Sequence, residues 1–124
     1  MAGSNGGDAG LVAAKCVPIA LGNDFAGSLR VPAAFTGTMA LKITGERTSF
    51  KGVVGLLPNN FTTLKYLNST DGPIGNRVSD LVTLFKVMID PQVSHYDSLI
   101  SPSTFNENNY EAAASGKIRV GYME

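Results

Sequence analysis

Two serines flanked by glycines have the residue type and setting that nucleophilic catalysis requires. Ser4 lies in Gly-Ser-Asn-Gly-Gly (residues 3–7), and Ser28 ends Gly-Asn-Asp-Phe-Ala-Gly-Ser (residues 22–28), 24 positions later. A serine hydroxyl is a good nucleophile only when a base accepts its proton, and its attack creates an oxyanion that backbone N–H groups can stabilise. Glycines beside Ser28 let the backbone and a substrate approach closely. The pattern therefore indicates catalysis by a serine hydroxyl.

Short motifs in a fixed order extend this pattern along the chain. They are Gly-Ser-x-Gly-Gly, Gly-x-Asp-x-x-Gly-Ser-x-Arg-x-Pro-Ala-Ala-Phe, Leu41-Lys42, Thr44, Arg47 and Ser49. Together they resemble the amidase signature family of serine amide hydrolases. Gly-Pro-Ile (residues 72–74) and Arg-Val-Gly-Tyr (residues 119–122) resemble downstream segments of its fatty acid amide hydrolase group. The resemblance covers nearly the whole chain, so residues 1–124 are expected to be part of one amidase domain.

The resemblance implies a role for each serine. Ser28 matches the family's nucleophile. Ser4 matches the serine whose cis peptide bond lets it shuttle a proton between the nucleophile and a lysine. The consecutive backbone N–H groups of Phe25, Ala26, Gly27 and Ser28 match the family's oxyanion hole, which also makes them the expected substrate-binding residues.

Four positions depart from the family's usual motifs. Ala26 stands where glycine is usual, and alanine would be strained there if the position needs a positive φ. Asn5 replaces the second serine of Gly-Ser-Ser-Gly-Gly. Its amide can donate and accept hydrogen bonds, but it has no hydroxyl proton to rotate. Asn23 replaces a threonine and Ile43 a proline, with less obvious consequences.

The chain has no residue that matches the family's lysine base. A lysine acts as a base only when its pKa falls well below the reference value of about 10.4. The family takes this lysine from upstream of the Ser4 position, but only Met1, Ala2 and Gly3 precede Ser4. Lys42 matches a structural motif instead. The lysines are Lys15, Lys42, Lys51, Lys65, Lys86 and Lys117.

Other reactive residues have simpler interpretations. His95, the single histidine, lies in a polar segment and is expected to be a solvated surface residue. Cys16 is expected to be a small buried apolar group. Asp24 and Arg30 flank the nucleophile segment and are expected to form a local ion pair. No Cys, His or carboxylate cluster has metal-ligand spacing, so neither a metal nor a cofactor is predicted.

Composition limits the partners and the location. Ten acidic and ten basic side chains in 124 residues provide no basic surface for nucleic acid, so nucleic acid is not an expected partner. The partner that the family resemblance implies is a small-molecule amide substrate. A single cysteine and the absence of a signal peptide favour an intracellular location, cytoplasmic or membrane-associated. The sequence does not encode a membrane attachment and does not determine the oligomeric state.

Local patterns predict the elements that position the serines. Asp8 suits a helix N-terminus, Pro32 suits a first helical turn that Gly37 ends, and Asn76 suits the cap of a helix with apolar residues at three- and four-residue spacing. The expected order is a helix over 8–16, a strand over 17–21 with a turn at 22–24, a helical turn over 32–35, a strand over 39–43, loops over 45–60, a helix over 77–89, an irregular segment over 92–116 and a strand over 117–122.

Strands interleaved with helices predict the α/β class. The resemblance implies an incomplete part of a mixed sheet with helices on both faces. It also implies an amide hydrolase that works through an acyl-enzyme, with fatty acid amides as the first expected substrates and glutamine, as in the A subunit of glutamine amidotransferases, as the second. The alternative class is a truncated, catalytically silent protein that binds a partner through exposed sheet edges. Without its lysine, the chain alone is expected to have negligible activity.

Overall fold

The computed structural model describes residues 3–53, 69–116 and 118–123. Helices pack on a small sheet, which confirms an incomplete α/β fold. The elements are α1 (Gly6–Ala13), β1 (Ile19–Asp24), α2 (Arg30–Thr36), β2 (Met39–Ala40), β3 (Thr70–Gly75), α3 (Val78–Met88), α4 (Val93–Tyr96) and α5 (Glu107–Ala114).

The sheet has three antiparallel strands in the order β1-β3-β2. β1 and β3 pair along their whole length, from Ile19 opposite Gly75 to Asp24 opposite Thr70. β2 pairs with the other edge of β3 through only two residues. Every residue of β3 is buried, so the central strand holds the sheet together.

The sequence did not predict β3, because Thr-Asp-Gly-Pro-Ile-Gly contains residues that usually interrupt a central strand. Gly72 is required there, since a Cβ atom would lie 1.9 Å from the carbonyl oxygen of Leu41. Pro73 accepts a hydrogen bond from the N–H of Leu41 at 3.1 Å. The N–H and C=O of one strand residue point to the same side, so the missing donor of Pro73 faces β2, where the ladder ends.

The core lies between α1, the start of α2 and the sheet. Its fully buried apolar side chains are Ala9 and Val12 from α1, Leu29 from the loop after β1, and Ile74 from β3. Val17, Ala20 and Ala40 pack against them. Leu29 directly follows Ser28, so burying Leu29 fixes one end of the loop that carries the expected nucleophile.

Helix α1 begins and ends earlier than the predicted range of 8–16. Asn5 is its N-cap residue and Asp8 lies in its first turn, where a negative charge complements the helix dipole. Lys15 has φ 60°, a left-handed conformation that cannot continue a helix. The predicted burial of Cys16 is wrong: because the helix stops before it, Cys16 is exposed.

The predictions around the sheet need three corrections. β1 begins two residues later than predicted and continues through 22–24, where a turn was expected, because all three of these residues pair with β3. β2 is shorter than the predicted 39–43. Helix α2 contains the predicted turn at 32–35, begins at Arg30 and ends at Thr36, and its C-cap residue Gly37 has a φ of 70° that suits glycine. Residues 54–60 of the predicted loop lie outside the described residues.

The C-terminal half confirms one helix and corrects the rest. α3 occupies most of the predicted range 77–89, but Arg77 rather than Asn76 is its N-cap residue, and the Asn76 side chain donates to the carbonyl of Val12 at 2.9 Å. The segment expected to be irregular contains α4 and α5. Asn106 caps α5 by accepting from the N–H of Asn109. Residues 118–122 form no strand and are exposed.

Candidate active site

Ser28 lies in a short loop between β1 and α2 and is partly buried. Gly27 precedes it with φ 112°, a conformation that residues with a Cβ atom rarely adopt. A Cβ atom at Gly27 would also lie 2.9 Å from Cγ2 of Val31. Ala26 does not have a positive φ, so replacing the usual glycine there introduces no strain of that kind. The positive φ that requires glycine is therefore at position 27 and not at position 26.

The carboxylate of Asp24 organises this loop from the end of β1. Its Oδ1 accepts from the N–H of Gly27 at 2.7 Å, and its Oδ2 accepts from the N–H groups of Leu29 and Arg30 at 3.3 and 3.4 Å. The Arg30 guanidinium adds two bonds, from Nε at 2.9 Å and from Nη2 at 3.0 Å. The predicted ion pair of Asp24 and Arg30 is therefore present.

These contacts determine the charge state of Asp24. The side chain is fully buried, yet the Arg30 guanidinium and the three backbone donors hold the pKa of the carboxyl well below its usual range. The group is thus ionised at neutral pH, and its fixed charge keeps the N–H groups of the loop pointing inward.

The four backbone amides of the expected oxyanion hole differ in whether they already donate a hydrogen bond within the described structure. Gly27 donates its N–H to Asp24. The amides of Phe25, Ala26 and Ser28 donate to no other residue that the structure describes. Within the described residues, the Gly27 amide is therefore the one of the four that has a hydrogen-bond partner, and that bond shapes the loop.

Asn5 connects the segment of Ser4 to the loop of Ser28. Its backbone N–H donates to the carbonyl of Ser28 at 3.4 Å, and its side-chain Nδ2 donates to the same carbonyl at 2.9 Å. Nδ2 also donates to the carbonyl of Asn23 at 2.6 Å. Gly22 makes room for the amide, since a Cβ atom there would lie 2.4 Å from Oδ1 of Asn5.

The side chain of Ser4 is exposed, and its described contact is a long one, 3.5 Å from Oγ to Nδ2 of Asn5. No hydrogen bond joins the hydroxyls of Ser4 and Ser28 in the part of the chain that the structure describes. The described peptide bonds are also all trans, so the cis bond that the resemblance implies at Ser4 is not found.

Three motif residues downstream of Ser28 bind structural partners. Lys42 donates from Nζ to Oγ1 of Thr70 at 3.1 Å, which links the segment after β2 to the start of β3. Arg47 lies over the ring of Phe85 and bonds the hydroxyl of Ser103. Ser49 donates to Oδ2 of Asp97 at 2.5 Å, a contact that holds the pKa of Asp97 below its usual range.

No described lysine bonds either expected catalytic serine. Lys51 bonds the carbonyl of Tyr96 and Lys86 pairs with Glu107 at 2.6 Å, while Lys65 and Lys117 lie outside the described residues. His95 is exposed, as expected of a surface histidine. Within residues 3–53, 69–116 and 118–123, no group of three or more His, Cys, Asp or Glu side chains could hold a metal ion.

Sequence reasoning did not single out Asp71. It lies in β3 opposite Asn23, and burial raises the pKa of its carboxyl to about 6. The residue could be recognised only together with β3, because a carboxylate between Thr70 and Gly72 resembles a turn rather than a buried strand. None of the helices that the structure describes is long and apolar enough to cross a membrane.

Comparison with curated proteins confirms the resemblance to the amidase family. The family model described as Amidase matches residues 1–124. The chain is 34% identical over 122 residues to fatty-acid amide hydrolase 1 of Sus scrofa, covering 98% of the chain and 20% of that protein. It is 39% identical over 113 residues to the A subunit of glutamyl-tRNA(Gln) amidotransferase from Methanosarcina barkeri (strain Fusaro / DSM 804), covering 90% and 21%.

Solved structures agree with these relatives. A fatty acid amide hydrolase superposes with a TM-score of 0.72 at 28% identity, covering 84% of this chain and 18% of that chain. The substrate complex of 6-aminohexanoate cyclic dimer hydrolase superposes with a TM-score of 0.57 at 35% identity, covering 69% and 17%. The chain spans about a fifth of the length of the curated relatives that it matches. Its sequence and its fold show that the chain belongs to the amidase family.

Proposed function

We propose that this chain is part of an amide hydrolase in which Ser28 is the nucleophile. The observation that carries the proposal is the double hydrogen bond from Asn5 to the carbonyl of Ser28, which holds the segment of Ser4 beside the loop of Ser28. Ser28 Oγ attacks the carbonyl carbon of the amide, the amine leaves with a proton, and water then hydrolyses the acyl ester.

The oxyanion formed in each step needs donors that are already in place. We assign this role to the amides of Phe25, Ala26 and Ser28, which donate to no other described residue. The Gly27 amide, which the family resemblance also includes, holds the loop through Asp24. Removing one donor of this kind typically lowers kcat by a factor of about 100 to 1000.

Ser4 is the proposed proton shuttle, and the proposed base is a lysine outside these 124 residues. The hydroxyl of Ser4 lies next to Asn5, which contacts both serines. Transfer through Ser4 requires its hydroxyl to come within hydrogen-bond reach of Ser28 when a substrate and the base are present. Because the proposed lysine base lies outside the 124 residues, this chain alone is expected to hydrolyse amides at a negligible rate.

Fatty acid amides are the proposed substrates. The similarity to fatty-acid amide hydrolase 1 covers nearly the whole chain. Phe25 adds an apolar ring, 54% exposed, at the start of the Ser28 loop, where an acyl chain could pack. Glutamine is the second candidate, because the A subunits of glutamyl-tRNA(Gln) amidotransferases are 38–39% identical to this chain.

The test uses a protein extended upstream of Met1 by the coding sequence that precedes it. We expect that segment to contain a lysine, and we expect a serine-directed fluorophosphonate to label the extended protein. Ser28→Ala should abolish labelling, whereas Ser98→Ala, which alters an exposed serine outside the site, should retain it.

Labelling that survives Ser28→Ala would assign the nucleophile elsewhere. A stop codon directly before Met1 would contradict the expected upstream coding segment and favour the alternative of a catalytically silent protein. Release of amine from a long-chain fatty acid amide, with none from glutamine, would support the first substrate. The opposite preference would support the second.

A further inference from the structure

Asn5 and Gly6 form the only Asn-Gly pair in the sequence. Asparagine is among the thermally labile residues of proteins, and a following glycine offers the least steric hindrance to its breakdown. The backbone nitrogen of Gly6 attacks Cγ of Asn5 and forms a C–N bond, while the bond from Cγ to Nδ2 breaks and ammonia leaves with the displaced proton. Water then opens the cyclic imide, which leaves aspartate or isoaspartate at position 5.

The folded structure blocks each part of this reaction. The N–H of Gly6 donates to the carbonyl of Gly3 at 3.2 Å, so the attacking nitrogen is held in a bond of its own. The leaving Nδ2 donates to the carbonyls of Asn23 and Ser28. Cγ lies against Gly22, where a Cβ atom would be 2.6 Å away, and Asn5 is only 8% exposed.

The same contacts make the product incompatible with the site. In an aspartate at position 5, a carboxylate oxygen would replace Nδ2 and face the two carbonyl oxygens that now accept from it. Acceptors would face acceptors, and a charge would be buried without a partner. The side-chain amide thus supplies two of the three hydrogen bonds from Asn5 to the carbonyls of Asn23 and Ser28, and without it only the 3.4 Å bond from the backbone N–H of Asn5 to the Ser28 carbonyl would be left.

We propose that Asn5 is a deamidation site whose intact amide is preserved by the fold and whose modification detaches the Ser4 segment from the Ser28 loop. The consequence for catalysis rests on the proposed function. The modification itself is measured by mass and hydrogen exchange, so its test can fail while the hydrolase proposal stands, and the reverse also holds.

The first experiment follows peptide mass during incubation at mildly alkaline pH, with and without urea. The expected result is replacement of NH₂ by OH at Asn5, at least tenfold faster in urea than in the native protein. Asn76, which also donates its amide to a backbone carbonyl but precedes arginine, should change much more slowly in urea. Gly6→Ala should slow the reaction of Asn5 in urea, where folding has no influence. Equal rates with and without urea would overturn the proposed protection.

The second experiment compares Asn5→Asp with Asn108→Asp, the same chemical change at an exposed position in α5. Asn5→Asp should speed hydrogen exchange of the amides in α1 at least tenfold, and Asn108→Asp should leave it unchanged. If Asn5→Asp prevents folding altogether, exchange becomes fast throughout the chain and the amide is shown to be essential. Unchanged protection of α1 in Asn5→Asp would refute the proposed detachment.

Discussion

At the scale of single residues, the loop that carries Ser28 depends on one carboxylate. Asp24 is fully buried and bonds three backbone amides as well as the Arg30 side chain. Arg30 keeps about half of its side chain in solvent, so the pair contributes mainly by directing the loop amides rather than by its attraction alone.

Asp24→Asn tests this role. An asparagine turns one acceptor oxygen into an NH₂ group, which would face donors that now point at the carboxylate. We expect the free energy of unfolding to fall by about 2 kcal/mol, the scale for losing hydrogen bonds to a charged group. Urea unfolding measures the change, with Glu111→Gln on the exposed side of α5 as the control. An unchanged midpoint would show that the loop keeps its shape without the charge.

Residue-level prediction succeeded where partners are close in sequence. The ion pair of Asp24 and Arg30 was predicted because both residues flank one short segment. The burial of Cys16 was predicted wrongly because it depends on where α1 ends, and the left-handed Lys15 that ends it is invisible in the sequence pattern. The bonds from Asn5 to Ser28 could not be inferred either, since they depend on how two distant segments pack. The catalytic roles of Ser4 and Ser28 stay predictions.

At the scale of elements, periodicity predicted α3 well because its apolar residues lie on one face. It failed for β3, where glycine and proline suggest a turn. The strand exists because its neighbours come close: Leu41 lies against Gly72 on one side, and β1 pairs with the other edge. Such contacts are tertiary, so a local pattern cannot reveal them.

Gly72→Ala tests that account of β3. A Cβ atom would lie 1.9 Å from the carbonyl oxygen of Leu41 and 2.9 Å from Cδ1 of Leu29, so backbone must move. We expect a loss of about 3 kcal/mol in the free energy of unfolding, at the upper end for overpacking. Gly45→Ala is the matched control, because its nearest atom would be 3.9 Å away. Equal unfolding midpoints for the two variants would contradict the close approach.

At the scale of the whole molecule, two buried carboxylates give stability opposite dependences on pH. The pKa of Asp24 is depressed in the folded state, so its contribution is complete above the unfolded value of about 3.9 and is lost as pH falls below it. Burial raises the pKa of Asp71 to about 6. Its protonated form suits the fold, so stability declines as pH rises from about 4 towards 6.

Asp71→Asn should remove that decline. The neutral amide needs no proton, so the free energy of unfolding of the variant should not fall between pH 4 and pH 7. We therefore expect the difference in this free energy between variant and wild type to rise by on the order of 2 kcal/mol from pH 4 to pH 7. Urea unfolding at a series of pH values measures it, and Glu111→Gln should follow the wild-type profile. A wild-type stability that rises steadily between pH 4 and 7 would be inconsistent with a buried Asp71.

The pairing of β1 with β3 also determines the order in which the molecule can fold. Among the described residues, β3 is the only strand that pairs with β1. The pairing partner of Ile19 is Gly75, and that of Asp24 is Thr70. These partners lie tens of residues apart, so a long loop must close before the strand that precedes Ser28 gains its hydrogen bonds. During synthesis, the Ser28 loop therefore leaves the ribosome well before β3, the strand that pairs with β1. Until Gly75 has emerged, Leu29 lacks Ile74, the buried β3 side chain that shares its core cluster in the folded structure.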